Sequence, residues 1–110
     1  MQFGERSLNH PVSLFDTNTI FWYYFTLNRK HRKTLDAIWE TPVRVDIKWL
    51  AVESLIEALD GDVREGNGSR VRFKLNGVRG NFHRPHPGND AKRYQVRALK
   101  EFLESAGVEP

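Results

Sequence analysis

The side chains best suited to chemistry in this sequence are two histidines, His83 and His86, and an arginine, Arg70. A neutral imidazole can accept a proton near neutral pH, and a guanidinium group can hold a phosphate through two parallel hydrogen bonds. Cutting RNA without a metal uses both, because the 2′-hydroxyl must lose a proton while negative charge builds on phosphorus. These residue types therefore predict a phosphodiester-cleaving site, if the fold brings them together.

The elements that must position them are the two strands of a β-hairpin over residues 69–83. Apolar and polar residues alternate on both sides of Asn76-Gly77, a pattern typical of antiparallel strands joined by a type I′ turn. Pairing Leu75 with Val78 sets the register. The buried face then pairs Phe73 with Gly80 and Val71 with Phe82. The open face pairs Lys74 with Arg79, Arg72 with Asn81 and Arg70 with His83.

This register predicts roles for the residues of the open face. The Cβ atoms of His83 and Arg70 would lie about 5 Å apart. A neighbouring positive charge disfavours the protonated imidazole, so His83 would act as the base while Arg70 and Arg72 bind the phosphate. The predicted catalytic residues are His83, His86 and Arg70, and the predicted RNA contacts are Arg70, Arg72, Lys74, Arg79, Asn81 and Arg84. Two alternatives stay open: His83 as an ordinary polar sheet residue, and His86 as part of a rigid, proline-flanked surface loop.

The charge of the chain is strongly segregated. The 110 residues carry a formal net charge of +3, but residues 63–86 hold six basic side chains and one acidic one, whereas residues 35–62 hold two and seven. Like charges directly opposite each other on a sheet are destabilising, so we expect an anionic partner on the hairpin. A basic footprint of this kind favours RNA, recognised by shape and phosphates because the basic face has no aromatic residue for base stacking. An ordinary charged surface is the alternative.

The composition excludes several kinds of site. The chain has no cysteine, which rules out disulfides and thiolate chemistry and is typical of a reducing compartment, so a cytoplasmic location is predicted. The apolar run over residues 20–25 is far shorter than the roughly 20 residues that span a bilayer, so no membrane association is expected. His83 and His86 are the only close pair of histidines and no carboxylate lies between them. The sequence therefore predicts no metal or other cofactor.

Apolar residues at three- and four-residue spacing predict a helix on each side of the hairpin. The first is expected to be capped by Asp46 and ended by Gly61, and the second to be capped by Asn89 or Asp90 and ended by Gly107. Two amphipathic helices need an apolar surface to cover, and the buried face of the hairpin supplies it.

A short helical turn over residues 34–39 and a third strand over residues 63–65 complete the predicted elements. The expected fold class is α+β: a three-stranded antiparallel sheet with two helices packed on one face and the basic face open. Trp39 and Trp49 are expected in the core, and Tyr94 at the rim of the last helix.

Four short motifs occur in order along the chain. They are Arg29-Lys30-His31-Arg32-Lys33-Thr34-Leu35, Ile47-Lys48-Trp49, Gly66-Asn67-Gly68-Ser69-Arg70 and Phe82-His83-Arg84-Pro85-His86-Pro87. Together with the order of elements, they resemble the HicA toxins of bacterial toxin-antitoxin modules, from about Asn28 to Val108. The resemblance implies a double-stranded-RNA-binding-like fold, mRNA-cleaving activity, and a HicB antitoxin that keeps the toxin inactive.

One position departs from the pattern of that family. HicA toxins usually carry a histidine, taken as catalytic, directly after the Gly-Ser of the central strand, where this chain has Arg70. Their second histidine, in a Pro-x-His context, corresponds most nearly to His86. Two functions therefore stay open: an mRNA-cleaving toxin in which His83, with His86, replaces the usual histidine, and a non-catalytic module that binds RNA or an antitoxin. A HicB-like antitoxin is expected to cover the basic face with an acidic surface.

The beginning of the chain is interpreted separately. The resemblance starts at Asn28, directly after Leu27, and Met1 is the only methionine. We expect residues 28–110 to form the RNA-binding and RNase domain, and residues 1–27 to be an extension or the product of a misassigned start. In the latter case the natural chain begins at Leu27, translated as Met. A genuine strand or partner-binding arm over residues 20–25 is the alternative.

Overall fold

A computed structural model describes residues 27–110, which form three helices and one three-stranded sheet. In chain order the elements are α1 (Arg29–Ile38), α2 (Trp49–Ala58), β1 (Asp62–Glu65), β2 (Arg70–Leu75), β3 (Val78–His83) and α3 (Arg93–Ser105). The strand order is β1-β2-β3, with both pairs antiparallel. The α+β class is confirmed, and the order of elements is consistent with a double-stranded-RNA-binding-like arrangement. No helix in residues 27–110 is long and apolar enough to cross a membrane, and the apolar run at 20–25 lies outside the described residues.

The β2–β3 hairpin has the predicted register. Leu75 pairs with Val78 beside the turn, and the pairing continues to Arg70 opposite His83. Asn76 and Gly77 have φ angles of 51° and 83°, the left-handed conformations that a type I′ turn requires at both central positions. Residues of β2 are alternately exposed and buried along its whole length. One face of the hairpin is therefore core and the other is solvent-facing.

Aromatic rings form the centre of the core on the covered face. The fully buried Phe73 ring lies 5.0 Å from that of Phe82 and 6.0 Å from that of Trp49, between centroids. The Phe102 ring, on α3, meets Phe82 edge-on at 5.9 Å. Gly80 leaves the space that these rings need, because a Cβ there would lie 2.7 Å from Phe82 and 2.8 Å from Phe102. The predicted pairing of Phe73 with Gly80 thus has a packing reason.

The predicted apolar stripes of the two helices are confirmed as buried. They are Trp49, Val52, Leu55, Ile56 and Leu59, and Val96, Leu99, Phe102, Leu103 and Ala106. Trp39 packs against the same core while partly exposed, and the Lys100 ammonium lies 5.8 Å from its ring centroid. Tyr94 is 62% exposed at the start of α3, as its predicted place at the rim requires.

The predicted caps of α2 and α3 are wrong. The residues at the two N-caps are Lys48 and Lys92. The segments that precede the helices pair with each other through a bridge between Lys48 and Asp90, and the Trp49 N–H donates to the Asn89 carbonyl at 2.8 Å. This pairing satisfies backbone groups that a cap would otherwise serve, and it moves both helix starts further along the chain.

Asp46, the predicted cap of α2, is engaged elsewhere. Its two carboxylate oxygens accept hydrogen bonds from Arg44, each at 2.8 Å. These bonds lower the pKa of the Asp46 carboxyl below its usual range. A carboxylate already paired with a guanidinium group two residues away does not reach the helix.

The first helix is longer than predicted. It begins at Arg29 rather than at Thr34, because the Asn28 side chain caps it by accepting the His31 N–H at 2.9 Å. Leu27, directly before the cap, is 3% exposed. The basic run at residues 29–33 therefore lies on a helix rather than in a frayed segment.

Candidate nucleic-acid interface

His83 and Arg70 lie side by side at one end of the open face. They are direct partners in the β2–β3 register, as predicted, and both side chains are exposed. The Ser69 hydroxyl lies 3.2 Å from Nδ1 of His83, and the direction of that hydrogen bond depends on the tautomer of the ring. Among the described residues, Nε2 of His83 has no hydrogen-bond partner. It is the ring nitrogen available to a ligand.

The main chain at His83 is held in place by α3. Gln95, 3% exposed, donates its side-chain Nε2 to the His83 carbonyl at 2.7 Å, and its Oε1 accepts the Lys92 N–H at 2.9 Å. Both ends of a buried amide are thus satisfied, as a polar group in the interior requires. The Arg84 N–H bonds to the Ser69 carbonyl at 2.8 Å and extends the pairing past the end of β3. These bonds hold His83 to the core from the covered side.

A groove of about 610 Å³ lies across the open face beside His83. Its lining includes the predicted contacts Arg70, Arg72, Asn81 and His83, together with Arg64 of β1. Within the groove, Nε of Arg72 donates to Oδ1 of Asn81 at 3.2 Å. The arginines and the imidazole that are predicted to act on a phosphate therefore lie together on the open face.

Arg64 is a residue of this site that the sequence reasoning missed. It is the direct partner of Arg72 in the β1–β2 register, and it is exposed on the open face. Its orientation could have been predicted from the alternation of side chains along β1, because Val63 faces the core and Arg64 must therefore face the other way. The strand itself was predicted, but its register with β2 was not, and that register places this third arginine beside the groove.

A second, smaller concavity of about 240 Å³ adjoins the first. It is lined by Asp62, Arg64, Arg72, Lys74 and Arg79, so Arg64 and Arg72 belong to both. Lys74 and Arg79 are direct partners, as predicted. Within residues 27–110, neither side chain makes an ion pair. Two cations without an ion pair to any described residue therefore face each other at this end of the sheet, with Asp62 as the β1 partner of Lys74.

Arg84 differs from the other predicted contacts, because its side chain is engaged on the covered side. Its Nε and Nη2 donate to the Glu53 carboxylate of α2 at 2.8 and 3.2 Å, and Nη1 lies 3.5 Å from Glu65. The hydrogen bond to Glu53 raises the pKa of Arg84 above its usual value. Glu53 also accepts the indole N–H of Trp49 at 2.7 Å. A contact between Arg84 and RNA stays a prediction.

His86 lies apart from the groove. It is exposed in the segment that follows β3, and it is not among the residues that line either concavity. Within the described chain, no His, Cys, Asp or Glu side chains form a group of three or more that could hold a metal ion. The catalytic role of His86 stays a prediction.

The fold and this surface define a class: a small α+β domain with a double-stranded-RNA-binding-like order of elements, a helix-covered sheet and an open face rich in arginine. A comparison with protein families identifies one family within this class. The family model described as HicA toxin of bacterial toxin-antitoxin matches residues 49–108, which span α2, the whole sheet and α3. The chain therefore belongs to the HicA toxin family, and it is a toxin of the toxin-antitoxin type. No curated protein and no solved structure matches the chain.

Proposed function

We propose that this protein is an mRNA-cleaving endoribonuclease that acts in the cytoplasm and is neutralised by a HicB-like antitoxin. The observation that supports the proposal most is the pairing of His83 with Arg70 in a groove on the open face. Such a groove offers both a proton acceptor and the cations that a phosphodiester needs.

The proposed mechanism uses the 2′-hydroxyl of the substrate as nucleophile. With Nδ1–H of His83 donating to Ser69, Nε2 is free to take the hydroxyl proton. The 2′-oxygen then attacks the adjacent phosphorus while Arg70 and Arg72 hold the non-bridging oxygens. The P–O5′ bond breaks, and the departing 5′-oxygen takes a proton from water or from His86. The products are a 2′,3′-cyclic phosphate and a 5′-hydroxyl.

A second function keeps the surface without the chemistry. Arg70 stands where the family usually has its catalytic histidine, and an arginine cannot act as a base at neutral pH because it stays protonated. On that alternative, the open face binds RNA or the antitoxin and does not cut. The two functions share the groove and differ only in whether His83 transfers a proton.

Incubation of the purified protein with end-labelled RNA in EDTA separates them. The proposal expects cleavage without added metal, fragments ending in a 2′,3′-cyclic or 3′-phosphate, and no cleavage of DNA. His83→Ala should slow cutting by about 100-fold or more, the usual effect of losing a general base. His86→Ala should slow it less and serves as the matched control. Dependence on Mg²⁺, or activity that survives loss of both histidines, would show that the base is misassigned.

The antitoxin is proposed to bind the same face. Arg64, Lys74 and Arg79 make no ion pair with any described residue, so an acidic partner would complement this surface and relieve their mutual repulsion. We expect a small partner whose contact surface is net acidic and which protects the β2–β3 amides from hydrogen exchange. A complex in which those amides exchange as in the free protein would contradict this.

A further inference from the structure

Lys74 and Arg79, which line the second concavity, have no role in the proposed chemistry, since they lie at the other end of the hairpin from His83. These two residues are paired across the hairpin, beside the Leu75–Val78 pair that flanks the turn. Arg70 and Lys74 are four residues apart on one strand, so their Cα atoms are about 13 Å apart. The two ends of the open face are therefore far enough apart to bind different phosphates.

Successive cations along β2 are spaced like the phosphates of a nucleic-acid strand and are not clustered around one position. Arg70, Arg72 and Lys74 occupy alternate positions and are all exposed. Neighbouring members of this row are separated by about 6.6 Å, two residues of an extended strand. That step is comparable with the distance between successive phosphates of an extended RNA strand. Because the basic face has no aromatic residue on which bases could stack, such a row can bind RNA only through the phosphates of its backbone.

The charges of the second concavity also favour the binding of an anion. Four of its five lining residues are cationic, and two pairs of like charges are direct partners, Arg64 with Arg72 and Lys74 with Arg79. Such pairs cost stability in the free protein. Asp62, the only carboxylate among these five residues, is the β1 partner of Lys74 and offsets part of this positive charge. An anion at this position would therefore be bound by several guanidinium and ammonium groups at once.

We propose that this concavity is a distal phosphate subsite, in which Lys74 and Arg79 bind a phosphate of the RNA backbone two nucleotides away from the one held at Arg70 and His83, while Arg64, the partner of Arg72, lies between the two positions. The inference rests on the proposed function for the identity of the proximal phosphate. It adds a path for the substrate, with the RNA strand lying along β2. It also adds Arg64 to the residues that bind RNA.

A scan with neutral linkages tests the subsite. A short single-stranded RNA, made uncleavable by 2′-O-methyl groups, carries one methylphosphonate in place of one phosphate, and its affinity is measured for each position of the substitution. The wild-type protein should show two sensitive positions separated by two linkages, each weakening binding about five- to tenfold at low salt. In the double variant Lys74→Ala, Arg79→Ala the distal position should lose its sensitivity while the proximal one keeps it. Arg70→Ala should give the converse.

Arg97→Ala, an exposed arginine of α3, is the matched control and should leave both sensitive positions in place. One sensitive position only, or two that the double variant weakens equally, would overturn the subsite. Because the RNA in this scan is not cut, the result does not depend on catalysis. Failure to cleave ordinary RNA contradicts the proposed enzyme, and failure of the two-position pattern contradicts the subsite.

Discussion

The two faces of one hairpin differ in how their side chains are satisfied. On the covered face, Phe73 and Phe82 are packed by rings from α2 and α3, and even the charged Arg84 has two carboxylates as partners. On the open face, Lys74 and Arg79 lie opposite each other with no ion pair to any described residue. The same two strands thus carry a covered surface whose side chains are packed or paired, and an open surface on which Lys74 and Arg79 make no ion pair with any described residue.

Because of this difference, we expect residues of the covered face to determine the stability of the fold and residues of the open face to determine ligand binding. Alternate residues of β2 contribute either to the core or to the groove, and the hairpin register decides which. A substitution on the covered face should lower the free energy of unfolding, whereas one on the open face should change ligand binding and leave folding nearly intact.

The largest effect is expected at Phe73. Its ring is fully buried at the centre of the aromatic cluster, and Phe73→Ala should lower the free energy of unfolding by about 3–5 kcal/mol. Lys74→Ala, the next residue, should change it by no more than about 0.5 kcal/mol. Urea unfolding of both variants is the measurement. Similar losses in the two would show that the faces are not separate.

A smaller loss is expected at the partly buried charge pair of Arg84 and Glu53. Glu53→Gln keeps the size of the side chain but removes the negative charge beside Arg84, and it should lower the free energy of unfolding by about 1–3 kcal/mol. Glu57→Gln, on the exposed side of the same helix, is the control and should be nearly neutral. If the two variants unfold at the same urea concentration, the contacts of Glu53 with Arg84 and Trp49 do not stabilise the fold.

Gly80 tests the packing between sheet and helix. A methyl group at this position would approach Phe82 and Phe102 to below 3 Å, so Gly80→Ala should cost about 1–3 kcal/mol of folding free energy by overpacking. Asn81→Ala, one residue further and exposed, should have little effect on folding. A stable Gly80→Ala protein would show that the aromatic rings have room to shift.

The sequence predicted the elements that depend on the local spacing of apolar and polar residues. The hairpin register, both apolar stripes and the apposition of His83 with Arg70 followed from residue types at fixed spacing. The helix starts did not, because they depend on a bridge between Lys48 and Asp90, which are far apart in the chain. For the same reason the sequence could not reveal that Gln95 anchors His83, or that Arg84 turns to Glu53.

The smallest effect is expected in the salt dependence of RNA binding. With the cations of the open face and Arg84 as predicted contacts, log affinity for duplex RNA should fall with log salt at a slope of roughly −3 to −5, from about −0.9 for each phosphate contact. The double variant Lys74→Ala, Arg79→Ala should flatten the slope by about one to two, whatever the RNA sequence. Fluorescence anisotropy over a salt series measures it, and a salt-independent affinity would remove the role of the basic face.

RNA is proposed to bind to the open face and not to the helices, although α1 and α3 also carry exposed basic residues. An NMR titration of the isotope-labelled protein with an uncleavable, 2′-O-methyl RNA tests it most directly. The account predicts shifts of the Arg70, Arg72 and Asn81 amides and of the His83 ring, with Arg93 and Arg97 of α3 unmoved. Shifts concentrated on the helices, with the hairpin unchanged, would contradict it.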